Sequence, residues 1–463
     1  MRALRIRPSK KTTVAILQPG AINNLTGGNA GGGSYAEFSY NFDASDKTLK
    51  SGSGAKEFLS GLTHTPLAIY HFKREDPVTG AADDRLIAMC DDGKFYESKL
   101  GSAAFSVIEN LEFSSPPIGV CYNYNGEDCI IFAKSSLGAY IYDGETVTEI
   151  DGAPPISSAC IHYERLFATA DGGKSLWFSD DFDPMNWSVS LTEAGFIDMS
   201  GRSGEALKVL SFSDALYVFR SYGITRVTAY GDQTQFSVSD LFLSSGKIMR
   251  DSVTYCGDRI LFMATDGFYS FNGITATKIL SGLDKTLDYG YSGVKGQFYN
   301  GKAYFLVRAK YAGAIYDCML VLNVLSGDCY LEYGMGVKDL CLIGGKEVYA
   351  LAMLCGDDKT VYRQDDEDEF KSEPLKKLWK SKFCDFSVRR GRKVLRKVSL
   401  YTATDITLTV DGGERVAVYS ITGGKSVKAV FPNMLADEFS IEIYSDKKDA
   451  CVSAITLEFE YYK

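Results

Sequence analysis

Histidine is scarce in this chain of 463 residues, which contains only His64, His71 and His162. No two of them stand at a spacing such as HxxxH, which would bring both to one metal ion. The sequence has no CxxC pair. It also has no GxSxG, Walker or GxGxxG motif in the structural context where that motif would function. Few candidates remain for nucleophilic, metal or cofactor chemistry. We therefore expect no enzyme activity, no metal site and no cofactor.

Long apolar runs are also absent. No segment approaches the roughly 18 apolar residues that a membrane helix needs, and the N-terminus lacks the order of a signal peptide. These features predict a soluble protein that is not exported by the usual route. The eleven cysteines are scattered, mostly within apolar runs such as SVTYCGD, which favours small buried side chains in a reducing cytoplasm. A net charge of −9 argues against a conventional nucleic-acid binder.

What the sequence does contain is a repeated hairpin. In residues 162–187, HYERLFATADGGKSLWFSDDFDPMNW, an apolar β-run, a Gly-Gly turn and a second β-run are followed by an Asp/Pro-rich loop. The same hairpin recurs, each time after a short first β-run. Its β-runs begin at Arg85, Asp128, Arg165, Ala215, Arg259, Lys302 and Glu347. The intervals between these start positions, with four strand segments in each unit, are typical of propeller blades.

These repeats predict an all-β fold: a seven-bladed β-propeller over residues 35–370, or a six-bladed one if one unit belongs to another domain. A propeller avoids open edges by pairing a strand from one end of the chain with the blade at the other. We expect Ala36–Phe42 to supply that strand, and Trp379–Phe386 is the alternative. The third unit carries a long insert, Asp180–Gly204, and such loops are where partners usually bind.

The flanks differ in character. Residues 1–34 are predicted to form a basic, glycine-rich, extended arm. Residues 371–463 hold six alternating β-segments, which predict a small C-terminal β-sandwich. Between propeller and sandwich lies the acidic run DDEDE (365–369), which we interpret as a solvated linker. A basic segment follows it at 376–397, where ten of twenty-two residues are Lys or Arg and only Asp385 is acidic.

The candidate partner-binding residues form two basic groups, the first in the N-terminal arm and the second in the basic segment. A solvated, partly disordered terminus is the alternative for the first group, whereas aromatic neighbours of the second group would also suit phosphate contacts and base stacking. We favour an electrostatic contact with an acidic protein, either the chain's own DDEDE or a neighbouring subunit, because the remaining surface is acidic. The candidates are Arg2, Arg5 and Arg7 in the arm and Arg389, Arg390, Arg392 and Lys393 in the basic segment.

Carboxylates and aromatics offer a second class of site, since some propellers act on glycans. The DDFDP run (Asp180, Asp181, Asp183) lacks the ligand spacing of a calcium loop and favours Asx turns. Asp171 and Asp266 recur at equivalent hairpin turns, which indicates turn chemistry. Trp177, Tyr217, Tyr269 and Tyr316 would suit a sugar site, although most occupy blade-core positions.

The third unit, ERLFATADGGKSLWFSDDFDPMNW, resembles a motif of tailed-bacteriophage virion propellers, in which E/D-R-L-F-x-x precedes a Tyr/Trp-x-S-D segment and D-P-x-x-W. ALYVFRSYGITRVTAYGD is similar to their next blade, SYNFDASDKTLKSGSG to their N-terminal lead-in, and WKSKFCDFSVRRGRKVLRKVSLYT to their closing domain. Those proteins act in the head-to-tail connector and tail, as hub, nozzle or packaged-DNA stabilisation components.

The resemblance implies a non-enzymatic, ring-forming homo-oligomer of the virion, assembled in the bacterial host cytoplasm. It would dock on a portal, an adaptor or other tail proteins and plug or guide DNA exit. DNA would pass without sequence recognition, because an acidic lumen repels phosphate. The alternative function is a carbohydrate-binding propeller, either a phage adhesin or a glycan hydrolase. A generic scaffold of the WD-repeat kind ranks last, since the repeated Gly-His and Trp-Asp dipeptides are missing.

Overall fold

The computed structural model describes residues 10–25, 33–76, 79–102, 104–190, 192–388 and 391–462, and these residues form an all-β fold. The described residues include three short 3₁₀ segments, Gln233–Gln235, Arg250–Ser252 and Ser281–Leu283. Within the described ranges no helix is long and apolar enough to cross a bilayer. The all-β prediction is confirmed.

Six sheets consist of four antiparallel strands that follow one another in the chain. The first two are β7 (Pro66–Phe72), β8 (Arg85–Cys90), β9 (Lys94–Lys99), β10 (Ser106–Glu112), and β11 (Ile118–Tyr124), β12 (Glu127–Lys134), β13 (Gly138–Tyr142), β14 (Val147–Glu149). The third and fourth are β15 (Ile156–His162), β16 (Arg165–Ala170), β17 (Ser175–Phe178), β18 (Gly195–Asp198), and β19 (Ala206–Phe212), β20 (Ala215–Arg220), β21 (Gly223–Thr228), β22 (Ser237–Leu243). The fifth and sixth are β23 (Thr254–Tyr255), β24 (Ile260–Ala264), β25 (Gly267–Phe271), β26 (Ala276–Ile279), and β27 (Gly296–Tyr299), β28 (Lys302–Tyr311), β29 (Ala314–Asn323), β30 (Cys329–Tyr333).

The seventh sheet is completed by a strand from the other end of the chain. It contains β31 (Val337–Gly344), β32 (Tyr349–Cys355) and β33 (Val361–Asp365), and β6 (Gly54–Leu59) pairs antiparallel with β33. Two short strands extend it, β34 (Glu369–Phe370) and β35 (Glu373–Pro374). Both sequence-based candidates for this strand, Ala36–Phe42 and Trp379–Phe386, are wrong, because those residues pair in the terminal sheets described below.

Hydrophobic clusters join the seven sheets in sequence. Each pair of successive sheets shares one cluster of buried side chains. The first and seventh sheets share another, in which Ile69 and Leu86 meet Ile343 and Leu354. The molecule therefore has a β-propeller-like arrangement of sheets.

Both ends of the chain build the remaining two sheets, which we call the terminal unit (residues 10–51 and 377–462). One sheet contains β1 (Lys10–Leu17), β4 (Phe42–Asp43), β5 (Leu49–Ser51), β37 (Lys393–Thr402), β40 (Lys428–Val430), β41 (Met434–Ala436) and β43 (Cys451–Tyr462). The other contains β2 (Gly20–Ile22), β3 (Tyr35–Tyr40), β36 (Lys377–Ser381), β38 (Ile406–Asp411), β39 (Val416–Ile421) and β42 (Ser440–Ser445). Buried residues of both sheets belong to one cluster, which also includes residues of the fifth and sixth sheets.

The terminal unit changes the predicted domain limits. Lys10–Leu17, placed by sequence in an extended arm, is a full strand that pairs with β43. Residues 35–51 pair within the terminal unit instead of the propeller-like part. Asn41 fixes the junction with the sixth sheet: its side-chain amide donates to the Tyr333 and Lys376 carbonyl oxygens at 2.7 and 2.8 Å, and the Tyr333 N–H donates to Asn41 Oδ1 at 2.8 Å.

Candidate functional site

A cavity of about 540 Å³ lies where the first strands of the seven sheets meet, and we call it the central cavity. Every sheet contributes residues from its first strand or from the segment just before that strand, a placement that follows from the repeated sheet order. The lining residues are Leu67–His71, 116–120, Ile130, 157–159, Lys208, Arg250, Asp251, Lys295, Gln297 and Asp339–Leu342. A volume of this size suits a small molecule or a side chain.

Charge in the central cavity is concentrated on the side formed by the fourth to seventh sheets. Arg250 Nε lies 3.1 Å from Asp251 Oδ1, and Lys295 Nζ forms an ion pair with Asp339 Oδ1. The second oxygen of Asp339 accepts from the Ile69 N–H at 2.9 Å, so this carboxylate links the seventh sheet to the first. Burial acts to lower the pKa of Lys295, but the ion pair with Asp339 outweighs it and raises that pKa.

The sequence reasoning missed these charged residues, although a signal for them existed. The register of the fourth sheet skips Leu207 between the pairs Ala206–Arg220 and Lys208–Phe219. The seventh sheet has the same irregularity, between Val337–Cys355 and Asp339–Leu354. Lys208 and Asp339 thus hold equivalent positions directly after a bulge, and bulges re-aim side chains. Alignment of the first strands would have marked them.

A second pocket, of about 670 Å³, lies at the opposite ends of the first strands of the first three sheets. Acidic side chains dominate its lining. The charged members are Lys73, Arg74, Glu75, Asp76, Glu127, Asp128, Asp143 and Glu145, and Tyr122 and Asn123 lie among them. We call it the acidic pocket. The first three sheets thus carry charged side chains at this end of their first strands and contribute no Asp, Glu, Lys or Arg to the central cavity at the other end.

The predicted partner-binding residues fall into three groups. Arg2, Arg5, Arg7, Arg389 and Arg390 lie outside the described residues.

Arg392 lies at a cavity of about 660 Å³ that also exposes Phe383 and Leu435 and includes Asp385, Asp437 and Glu438. Its role in partner binding stays a prediction.

Lys393 requires a correction, because it is only 1% exposed. Its ammonium donates to the Asp437 carbonyl oxygen at 2.5 Å and lies 5.9 Å from the centre of the Phe459 ring. Burial lowers its pKa, although Asp385 opposes the shift. The alternation of β37 turns this lysine inward, whereas the sequence-based prediction treated the whole basic run as surface.

The topology nevertheless brings the starts of β1 and β37 to one end of the terminal unit. Strands β1 and β37 both pair antiparallel with β43 and flank it. Lys10 is opposite Tyr462, and Val394 is opposite Glu460, so both strands begin at the same end of β43. Lys10 of β1 and Lys393 of β37 therefore lie at the same end of this sheet, and in the sequence each follows a basic stretch. We call this the basic end.

The acidic run 365–369 is solvated only in part, because Asp366 and Glu367 are exposed but Asp368 is buried. Asp368, 2% exposed, forms an ion pair of 2.5 Å with Lys377 of β36, which is fully buried. Lys377 also donates to the carbonyl oxygens of Leu375 and Lys447 at 2.7 and 2.8 Å. Burial alone would raise the pKa of Asp368, but the hydrogen bond from Lys377 lowers it. The run thus connects the seventh sheet to the terminal unit, which agrees with the expectation that the basic segment contacts the chain's own acids.

Two buried arginines hold the insert of the third unit. Arg165 donates to the carbonyl oxygens of Ser179 and Glu193 at 3.1 and 2.9 Å. Arg220 donates to the Gly204 carbonyl oxygen at 2.8 Å and also to that of Met199. Both side chains are 2% exposed. The insert is therefore anchored at both ends, and its role as a partner-binding loop stays a prediction.

The predicted turn chemistry of the DDFDP run is confirmed. Asp183 Oδ1 accepts from the Met185 N–H at 3.0 Å, which closes an Asx turn. Asp180 Oδ1 accepts from the N–H groups of Asp181 and Glu193 at 3.0 and 3.2 Å. These oxygens are occupied by the protein's own backbone.

The histidines are divided between packing and one surface cluster. His162 is buried and lies 2.8 Å from Ser211 Oγ through Nδ1. Burial lowers its pKa. His64 lies beside Asp91 and Asp92, with which it forms a group of three potential metal ligands that the sequence reasoning missed. Its two ring nitrogens face different carboxylates, at 3.5 and 3.7 Å, and one ion would engage only one nitrogen.

The aromatic residues considered for a sugar site pack against neighbouring rings. Tyr217 and Tyr269 are buried, as the blade-core interpretation predicted. Trp177 packs on the ring of Phe196 at 5.0 Å, and the ring centres of Tyr316 and Phe38 are also 5.0 Å apart. None of the four lines the central cavity or the acidic pocket.

No family model matches the chain, and no curated protein matches it. Among solved structures it is similar to PorZ, described as an essential bacterial surface component of the type-IX secretion system of Porphyromonas gingivalis. The two are 11% identical with a TM-score of 0.42, over 80% of this chain and 48% of PorZ. The chain thus spans about half the length of that neighbour. So distant a likeness assigns no function.

Proposed function

We propose that this chain is a non-enzymatic structural protein of a tailed-phage particle, a ring-forming component of the head-to-tail connector or tail. It docks through the basic end of its terminal unit on an acidic surface of a portal, an adaptor or another tail protein. One observation supports the proposal: β1 and β37, which follow the two groups of basic candidates in the sequence, begin at the same end of β43. A protein of net charge −9 thereby gains a localised basic contact.

In this proposal the seven sheets form a closed, seven-bladed propeller that acts as a rigid body. Contacts between the last and first sheets support closure. The Ile69 N–H donates to Asp339 at 2.9 Å, and the Gly344 N–H donates to His71 Nδ1 at 3.4 Å. Completion of the seventh sheet by β6 serves the same end, because it joins the two ends of the propeller within one sheet.

The central cavity constrains how such a protein would guide DNA. At about 540 Å³ it has the size of a small-molecule site and is far too small for a duplex. DNA would therefore pass through the lumen of a ring of several copies, outside each propeller. The acidic net charge suits that lumen, since it repels phosphate.

Mass photometry and electron microscopy of the purified protein, alone and mixed with portal and adaptor proteins, test this proposal. We expect a ring of defined symmetry, either alone or on those partners. A variant with Arg389, Arg390 and Arg392 changed to Glu should lose the assembly. Reversal of the exposed Lys94 and Lys174, which lie in the propeller-like part, should leave it intact. A persistent monomer that ignores portal and adaptor would refute the proposal.

The acidic pocket favours the second candidate function, carbohydrate binding. Its six carboxylates and Asn123 offer acceptors for sugar hydroxyl groups. A glycan array should show binding that Asp128→Asn weakens if this function is correct. Absence of binding, together with no hydrolysis of cell-wall or capsule polymers, would exclude it.

A further inference from the structure

The two walls of the central cavity differ in chemistry. The first three sheets contribute no Asp, Glu, Lys or Arg to its lining; their part consists of Leu67–His71, 116–120, Ile130 and 157–159. The fourth to seventh sheets contribute three basic side chains and two acidic ones, which are Lys208, Arg250, Lys295, Asp251 and Asp339. A ligand that fits both walls carries a charged group on an apolar body.

Two of the three basic side chains already have carboxylate partners. Arg250 contacts Asp251 and, outside the lining, Asp171, each at 3.1 Å. Lys295 is paired with Asp339, whose other oxygen accepts from a backbone N–H. These carboxylates therefore have little capacity left for a further cation.

Lys208 is different. Within the described part of the chain, Lys208 has no ion pair and no side-chain hydrogen bond. Asp251, Lys295 and Arg250 are nevertheless near enough to influence its pKa. Burial lowers its pKa to about 8, so the ammonium form still predominates at neutral pH. The Lys208 side chain is half-buried in the wall of the cavity, and an anionic ligand bound there would supply the acceptor that its ammonium group lacks.

We propose that the central cavity binds a carboxylate, which accepts hydrogen bonds from Lys208 Nζ, while the uncharged wall contacts the apolar body attached to it. The carboxylate belongs either to a free organic acid or to an acidic side chain of a partner protein. Lysine is suited to this role because its three N–H donors rotate freely about a flexible stem. The inference does not depend on the proposed function.

Isothermal titration calorimetry with benzoate and with a capped peptide containing one glutamate tests the proposal and separates the two sources. We expect at least one probe to bind the wild-type protein and uncharged benzyl alcohol not to bind. Binding of the peptide alone would assign the site to a partner's side chain; binding of benzoate would assign it to free acids. If neither acid binds, the proposal is wrong.

Variants identify the residue responsible. Lys208→Met should weaken binding of the acid at least tenfold, and Lys208→Arg should retain most of it. Lys174→Met, at an exposed turn, should bind like wild type. Equal affinity of Lys208→Met and wild type would overturn the proposal. In the wild-type protein, the NMR resonance of ¹³C-methylated Lys208 should shift on addition of the acid while that of Lys174 stays fixed, which tests the contact even if a variant fails to fold.

Discussion

Glu332 of β30 should make the stability of the protein depend on pH near neutrality. Its side chain is 1% exposed, and Oε1 accepts hydrogen bonds from Ser53 Oγ at 2.8 Å and from Tyr330 OH at 3.1 Å. Burial raises its pKa to about 7, although these two hydrogen bonds act to lower that pKa. No hydrogen-bond donor to its second oxygen occurs among the described residues. The folded protein thus retains a proton that the unfolded chain releases.

The magnitude follows from the two pKa values. Between the ordinary value of 4.5 and about 7, the folded state binds more protons than the unfolded state, so stability falls as pH rises through this window and levels off above it. The full difference corresponds to about 3 kcal/mol, at about 1.4 kcal/mol for each pH unit. About 2.5 kcal/mol of it lies between pH 5 and pH 8.

Glu332→Gln removes this titration while it keeps an oxygen that accepts from Ser53 and Tyr330. The unfolding free energy of the variant minus that of wild type should therefore be about 2.5 kcal/mol larger at pH 8 than at pH 5. Urea denaturation followed by tryptophan fluorescence at both pH values measures that difference, and the comparison cancels the other titrating groups. A stability difference that is the same at pH 5 and pH 8 would show that Glu332 is ionised in the folded protein and would refute the reasoning.

Two further perturbations test how the propeller-like part is joined to the terminal unit. Lys377→Met leaves Asp368 buried without its cation and should lower the unfolding free energy, measured by thermal or urea unfolding, by about 3–5 kcal/mol. Lys448→Met removes only surface ion pairs and should lower it by about 0–1 kcal/mol. Equal losses would contradict the conclusion that the Lys377–Asp368 pair is buried. Gly54→Ala places a methyl group against the backbone of residues 367–369, and should expose β6 to limited proteolysis. Gly344→Ala, with no neighbouring atom within 4 Å, is the matched control and should resist cleavage like wild type.

The strand positions were predictable because they depend on local pattern. The predicted β-runs at Arg85, Arg165 and Lys302 coincide with the starts of β8, β16 and β28. Alternating side chains and tight turns such as Asn300-Gly301, where both residues have positive φ, fix these hairpins from within a few residues. Local sequence was sufficient wherever the pairing partner was adjacent in the chain.

Long-range pairing was not predictable in the same way. The alternation in Tyr35–Tyr40 identifies a strand, but it does not reveal that its partner is β36 and not the seventh sheet. The inward orientation of Lys393 and the burial of Asp368 likewise depend on how the terminal unit packs. The residues of the central cavity come from distant repeats, so their proximity arises only when the sheets pack together.

The division of the terminal unit between the two ends of the chain also determines the order in which the protein can be completed during synthesis. Strand β1 leaves the ribosome more than four hundred residues before its partner β43, as the pairing of Lys10 with Tyr462 implies. The seven sheets can form first, but β1 and β5 stay without their common partner until β43 emerges. A nascent chain that stops after the seventh sheet therefore displays those strands as an uncovered edge, and only full-length translation conceals it.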